Sequence, residues 1–141
     1  MFTGSYPVTI DEKGRFAIPA RFRAELMADA QGQLSISRIG SRLKLYPQRV
    51  FEALANQILN DTANTADREL LLNRFVGASI RLEMDAQGRL LVPAELRAKI
   101  IGEAMLVAQV DRFVLVSAAD WAAYQAETEE QFLAAAAARG L

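Results

Sequence analysis

Two arginines stand one residue behind a glycine and four behind an aspartate. Arg15 follows Asp11-Glu12-Lys13-Gly14, and Arg89 follows Asp85-Ala86-Gln87-Gly88. A guanidinium beside a tight turn is suited to gripping phosphate through charge-assisted hydrogen bonds. Lys13, Arg21 and Arg23 lie close to Arg15 in the sequence, and phosphate contacts favour clustered positive charge. The competing role is an ion pair between each arginine and the aspartate of its own turn; the two roles are compatible. For Arg15 the cationic neighbours favour a nucleic-acid contact. For Arg89, flanked by Gln87 and Glu95, they favour the ion pair. Arg21 and Arg23 are two apart at a helix start, so at most one of them faces DNA in a given pose.

Other chemistries are excluded or unsupported. The chain has no Cys and no His. A typical structural zinc site, a Ser-His-Asp triad, a Cys-His pair and a histidine general base therefore have no ligands or bases to draw on. Neither G-x-x-x-x-G-K-[ST] nor G-x-G-x-x-G occurs. Asp11 and Asp85 serve best as turn formers, not as a catalytic carboxylate pair. No catalytic residue, cofactor site or metal ligand is assigned.

The elements that must position these arginines are repeated. Asp11 and Asp85, Arg15 and Arg89, Pro19 and Pro93, and Arg23 and Arg97 are each 74 residues apart. One supersecondary unit is thus used twice. In each copy Asp-x-x-Gly makes a tight turn, with Asp11 or Asp85 bonding backbone ahead and Gly14 or Gly88 accepting positive φ. Strands precede it (5–10; 78–84) and follow it (15–18; 89–92), giving a hairpin with the arginine at its tip. Pro19 and Pro93 end the strands and open short helices, expected over 20–28 and 93–101.

Alternating strands are expected at 33–38, 42–46, 104–110 and 112–116. Between the repeats, 48–60 is an amphipathic helix with Phe51, Leu54 and Ile58 as its stripe. Asn64 caps a second helix carrying Leu70, Leu71, Phe75 and Val76. Ser117 and Asp120 cap the last helix, with Trp121 and Tyr124 as packing anchors. The alanine-rich end, 134–138, has little to bury and would lie on a neighbour or fray. Arg38, Arg42 and Lys44 read as solvated edge-strand charges. The resulting division is 1–47, first repeat; 48–77, helical linker; 78–118, second repeat; 119–141, C-terminal helix.

At 141 residues and 52% apolar composition the chain can bury a real core. No apolar run spans a bilayer, no signal peptide is read at the N-terminus, and the lack of Cys fits a reducing cytosol. Formal net charge is −1, but unevenly spread. The first fifty residues hold eight basic and four acidic groups, +4, and the rest hold eight and thirteen, −5. This asymmetry suggests a basic face built from the first repeat.

The paired Asp-x-x-Gly-Arg-x-x-x-Pro signatures, the start Met1-Phe2-x-Gly4 and the helical spacer resemble the MraZ family, within the AbrB/SpoVT group of swapped-hairpin DNA-binding folds. The resemblance covers roughly 1–124. It implies an α+β fold in which two tandem AbrB-like β-hairpin units form one pseudo-twofold β-barrel with flanking helices. It also implies a bacterial transcription regulator that assembles into homo-oligomeric rings and binds double-stranded DNA at short direct repeats. Those repeats lie upstream of the division and cell-wall gene cluster containing its own gene. The matching signature arginines are Arg15 and Arg89. A cytoplasmic, nucleoid-associated protein without membrane or small-molecule partners follows. The second repeat has Ala86, Gln87 and Glu95 where the first has Glu12, Lys13 and Arg21, so the first half is expected to do most phosphate binding. The alternative is an antitoxin-like oligomeric module of the same fold that binds protein through its apolar helices.

Overall fold

The computed structural model describes residues 1–97 and 100–141. Its elements are β1 (Ser5–Ile10), β2 (Arg15–Ala17), α1 (Ala20–Ala30), β3 (Gln33–Ile39), β4 (Arg42–Pro47) and α2 (Gln48–Leu59). There follow α3 (Thr65–Leu71), which runs into one wide π turn (Leu72–Val76), β5 (Ile80–Glu83) and β6 (Arg89–Leu91). A single 3-10 turn (Ala94–Leu96), β7 (Gly102–Ala108), β8 (Phe113–Ser117) and α4 (Ala118–Ala138) complete the chain. Two helix starts follow directly from the sequence. Asn64 accepts the Asp67 N–H at 3.0 Å and Ser117 accepts that of Asp120 at 3.0 Å, each satisfying an orphan first-turn donor.

The hairpin expected around each Asp-x-x-Gly turn is not a paired hairpin. β1 pairs antiparallel with β7 and β5 with β3, each across the halves, while β2 pairs antiparallel with β6. The resulting six-stranded sheet has the order β1-β7-β8-β4-β3-β5, and β2-β6 forms a separate ribbon. Exchanging the halves maps that order onto itself. The pseudo-twofold passes through Phe16↔Leu90 in the ribbon and Lys44↔Val114 in the sheet. The repeat offset is 74 at the first pair and 70 at the second, because the segment after Pro93 is four residues shorter than that after Pro19. Among the described residues β1 and β5 are the sheet's two edges, and no pairing joins them into a barrel.

The shortening also decides a helix. The first half has room for α1, which buries Phe22 and Leu26 and closes on Gln31 in the left-handed region. A helix over 93–101 would leave no chain to reach β7. Only the 3-10 turn is present, with Gly102 already in the strand; Ala98 and Lys99, within that expected helix, lie outside the described residues.

Alternation in the strands sends Leu34, Ile36, Leu43, Leu45, Leu106, Phe113 and Leu115 to one sheet face. There they meet Phe16 and Leu90 of the ribbon and Phe22 and Leu26 of α1 in one buried cluster. The opposite sheet face carries a smaller cluster of Tyr46, Val50, Phe51 and Phe75, with Leu54 and Ile58 packed on it. The layers are therefore ribbon and α1, main core, sheet, then outer helices. Buried Ser37 donates its hydroxyl to the Phe75 carbonyl at 2.9 Å, tying the π turn to β3. Among the described residues, no helix is long and apolar enough to cross a membrane.

Candidate nucleic-acid interface

The two turns have one geometry. Asp11 Oδ1 accepts the backbone N–H groups of Lys13 and Arg15, both at 2.9 Å, and Oδ2 accepts Arg15 Nε–H at 2.8 Å. Asp85 does the same for Gln87 and Arg89, at 2.9 Å and 2.8 Å, with Arg89 Nε–H at 2.9 Å. The Arg15 backbone N–H above all, helped by its guanidinium, holds the Asp11 carboxyl below the usual carboxylate value. Arg89 acts likewise on Asp85. The ion pair and the external contact thus coexist: each aspartate takes only Nε. Among the described residues the terminal nitrogens of both arginines have no partner, so each guanidinium keeps donors for an outside acceptor.

The ribbon places the two guanidiniums together. Its short strands pair Arg15 with Leu91, Phe16 with Leu90 and Ala17 with Arg89. Phe16 and Leu90 point into the core, so Arg15, Ala17, Arg89 and Leu91 share the outer face. Arg15 is 42% exposed and Arg89 43%, so both are equally accessible. Their surroundings differ: Glu12 and Lys13 stand in the first turn where Ala86 and Gln87 stand in the second.

Arg23 is engaged differently. Half-buried, it donates Nε–H to the Ile18 carbonyl at 2.9 Å, and a Cβ on Gly88 would lie 2.1 Å from that Nε. Its guanidinium therefore lies against the turn of the other half. Arg97 mirrors it: a Cβ on Gly14 would lie 2.9 Å from Arg97 Cζ, and Nη1–H reaches the Glu12 carbonyl at 3.3 Å. Gly14 and Gly88 have φ of 90° and 78°, so both turns demand glycine for backbone as well as for space. The backbone repeats this crossing. Ile18 N–H donates to the Gly88 carbonyl at 2.9 Å and Val92 N–H to that of Gly14 at 2.8 Å. Arg97 as a brace is the residue that sequence reasoning missed; its signal was the shared register of Arg23 and Arg97 with the two glycines.

The remaining cations do not join this site. Arg21 donates to the Tyr6 hydroxyl at 3.0 Å and lies over the Tyr6 and Phe22 rings. Arg42 sits 4.4 Å above the Tyr124 ring, and Arg49 pairs with Asp29 at 2.9 Å. Lys44 lies on β4, in the middle of the sheet and not at an edge, on the face opposite the core. Burial, then Arg42 and Arg112 nearby, pushes its pKa down. The basic groups of the first fifty residues are thus split between opposite sides of the core and do not make one face.

A family model described as "MraZ protein, putative antitoxin-like" matches the chain twice, over residues 1–74 and 75–141. The chain belongs to the MraZ family. It is 40% identical over 126 residues to the transcriptional regulator MraZ of Alcanivorax borkumensis, covering 86% of each chain. The protein of that name from Pseudomonas fluorescens SBW25 is 36% identical over 137 residues, covering 89% of this chain and 91% of its own. That from Azotobacter vinelandii is 35% identical over 127 residues, covering 87% and 84%. These MraZ relatives are named as transcription regulators, and the family is one of regulators and not of enzymes. The internal match at 74/75 falls in the π turn, so each matched half carries one Asp-x-x-Gly-Arg turn.

Proposed function

We propose that this chain is a sequence-specific DNA-binding transcription regulator whose β2–β6 ribbon is the contact surface. One observation carries the reading: two half-exposed arginines, each fixed by an aspartate through Nε and with no other partner among the described residues, stand on the same face of a two-stranded ribbon. A two-stranded ribbon fits the DNA major groove, and forked guanidiniums suit phosphates or guanine edges there. Arg15 and Arg89 are the central contacts and Lys13 an added phosphate contact, while Arg21, held by Tyr6, stays outside the site. Arg23 contributes by holding the second turn.

Each turn is formally neutral: Asp11, Glu12, Lys13 and Arg15 in one, Asp85 and Arg89 in the other. A single subunit therefore attracts DNA weakly. A homo-oligomeric ring presenting the ribbon several times would multiply affinity. Head-to-tail copies repeat one orientation, which matches short direct repeats, here upstream of the division and cell-wall cluster that includes its own gene. Such a protein works in the cytoplasm at the nucleoid, without cofactor.

Fluorescence anisotropy on duplex from upstream of its own gene tests the reading. If the oligomer contacts ~8 phosphates, log K falls against log salt with a slope of about −7. Arg15→Ala should weaken binding to the direct repeats by about 30-fold at low salt and leave the oligomer's mass unchanged. A response flat in salt and indifferent to Arg15→Ala would instead support the antitoxin-like protein-binding module, the reading favoured by the exposed apolar side chains of α3 and α4.

A further inference from the structure

Besides Arg15 and Arg89, the outer face of the β2–β6 ribbon presents Ala17 and Leu91. Both are exposed, Leu91 by 51%. Leu91 is the repeat equivalent of Ala17, 74 residues on. The register sets Leu91 directly opposite Arg15 and Ala17 directly opposite Arg89. Each end of the face thus carries one guanidinium and one apolar side chain, an isobutyl group at one end and a lone methyl at the other. Nothing within the subunit calls for a leucine here: Phe16 and Leu90 fill the core beneath, and Leu91 belongs to neither buried cluster. A face that only gripped phosphate would suit polar or cationic side chains at both positions.

In the DNA major groove the apolar feature of the base edges is the C5-methyl group of thymine. We propose that Leu91 reads a thymine methyl there, beside the group held by Arg15. Ala17 is too short to make the same contact beside Arg89. The two ends of the ribbon, alike in their arginines, therefore differ in what they read. Operator palindromy mirrors protein twofold symmetry, so a ribbon with one methyl-reading end suits a directional site instead. This contact rests on the ribbon being the DNA-facing surface, as proposed above.

Replacing thymine by uracil removes the methyl and leaves the base pair and its hydrogen-bonding edge intact. Fluorescence anisotropy on the duplex from upstream of its own gene, with deoxyuridine placed at one thymine position of every repeat in turn, tests the contact. For the wild type, one position should weaken binding by about 4-fold for each repeat engaged, the worth of one buried methyl. Leu91→Ala should bind the unmodified duplex at least as weakly as the wild type binds that uracil duplex. It should also lose all response to uracil there, because the two changes remove one contact and do not add. Leu91 is exposed, so the core is untouched, and circular dichroism checks the fold. Arg15→Ala, measured alongside, should lose about 30-fold at low salt. A wild type indifferent to uracil at every thymine, or a Leu91→Ala protein that responds as the wild type does, overturns the methyl contact. If Arg15→Ala still loses its 30-fold in that case, the DNA-binding ribbon stands without it. If Arg15→Ala binds as the wild type does, the ribbon is not the DNA surface and both fall.

Discussion

The two halves keep the same turn and change almost everything around it. Asp, Gly and Arg recur at 11, 14 and 15 and at 85, 88 and 89, with the same hydrogen bonds within about 0.1 Å. The bracing arginines, Arg23 and Arg97, recur too. What varies lies around these contacts. Lys13 becomes Gln87, Arg21 becomes Glu95, and the 11-residue α1 shrinks to a 3-10 turn. The turn and its bracing arginines are kept, while exposed charges drift and even α1, which packs Phe22 on Phe113 of the other half, has no equal. The β3–β4 and β7–β8 turns show the opposite case: Gly40 at φ 64° is matched, 70 residues on, by Val110 at φ 72°. There the second half keeps the backbone without the residue that suits it.

Substitutions at the turn glycines should divide the halves most strongly. In Gly14→Ala the new Cβ would lie 2.6 Å from the Val92 carbonyl oxygen, which the ribbon holds in place. With the cost of left-handed backbone, urea unfolding should show a loss of about 3 kcal/mol. In Gly88→Ala the Cβ meets the Arg23 side chain, which can move, and the loss should be nearer 2 kcal/mol. Equal losses would mean that Arg23 is as rigid as backbone.

Next come the two forks. Anisotropy titrations should show Arg15→Ala weakening DNA binding at low salt by about 30-fold and Arg89→Ala by about 10-fold, with stability little changed. Lys13 beside Arg15 is the reason for the difference, so Lys13→Gln should bring the two variants together and flatten the salt slope.

Smaller still are the effects at Val110 and at the braces. Val110→Gly should stabilise by about 1 kcal/mol in urea, relieving a β-branched residue from positive φ. Arg23→Leu loses the 2.9 Å bond to Ile18 and should cost about 1 kcal/mol. Arg97→Leu should cost less, about 0.5 kcal/mol, because it loses only the long 3.3 Å bond to the Glu12 carbonyl while its buried Nε has no partner to lose among the described residues.

Acid should affect both halves alike. The folded-state pKa values of Asp11 and Asp85 lie below the ordinary 3.8. Their contribution to stability is therefore complete above that value and fades as pH falls through the folded-state values. Urea midpoints measured between pH 5 and pH 2 should drop, with a shallower drop in Asp11→Asn and again in Asp85→Asn.

Much of this site was legible in the chain. Asp11, Gly14 and Arg15 name their turn because side-chain and backbone needs coincide within five residues. Asn64 and Ser117 named their helix starts for the same reason. The partner of β2 was not legible: three residues pair as well with a neighbour as with β6, and only the packing of Phe16 against Leu90 decides. Nor was the fate of Lys44, since strand alternation gives the face but not whether helices cover it. The helix expected over 93–101 failed because propensity carries no information about how far the chain must still travel.

The crossed bracing of Gly88 by Arg23 and of Gly14 by Arg97 makes the whole subunit the smallest inheritable piece of this architecture. A fragment cut at the family boundary would carry a turn without its buttress and a buttress without its turn. Chimeras that graft one half from a related regulator should be most stable where residues 14, 23, 88 and 97 stay matched, with the two glycines the strictest requirement.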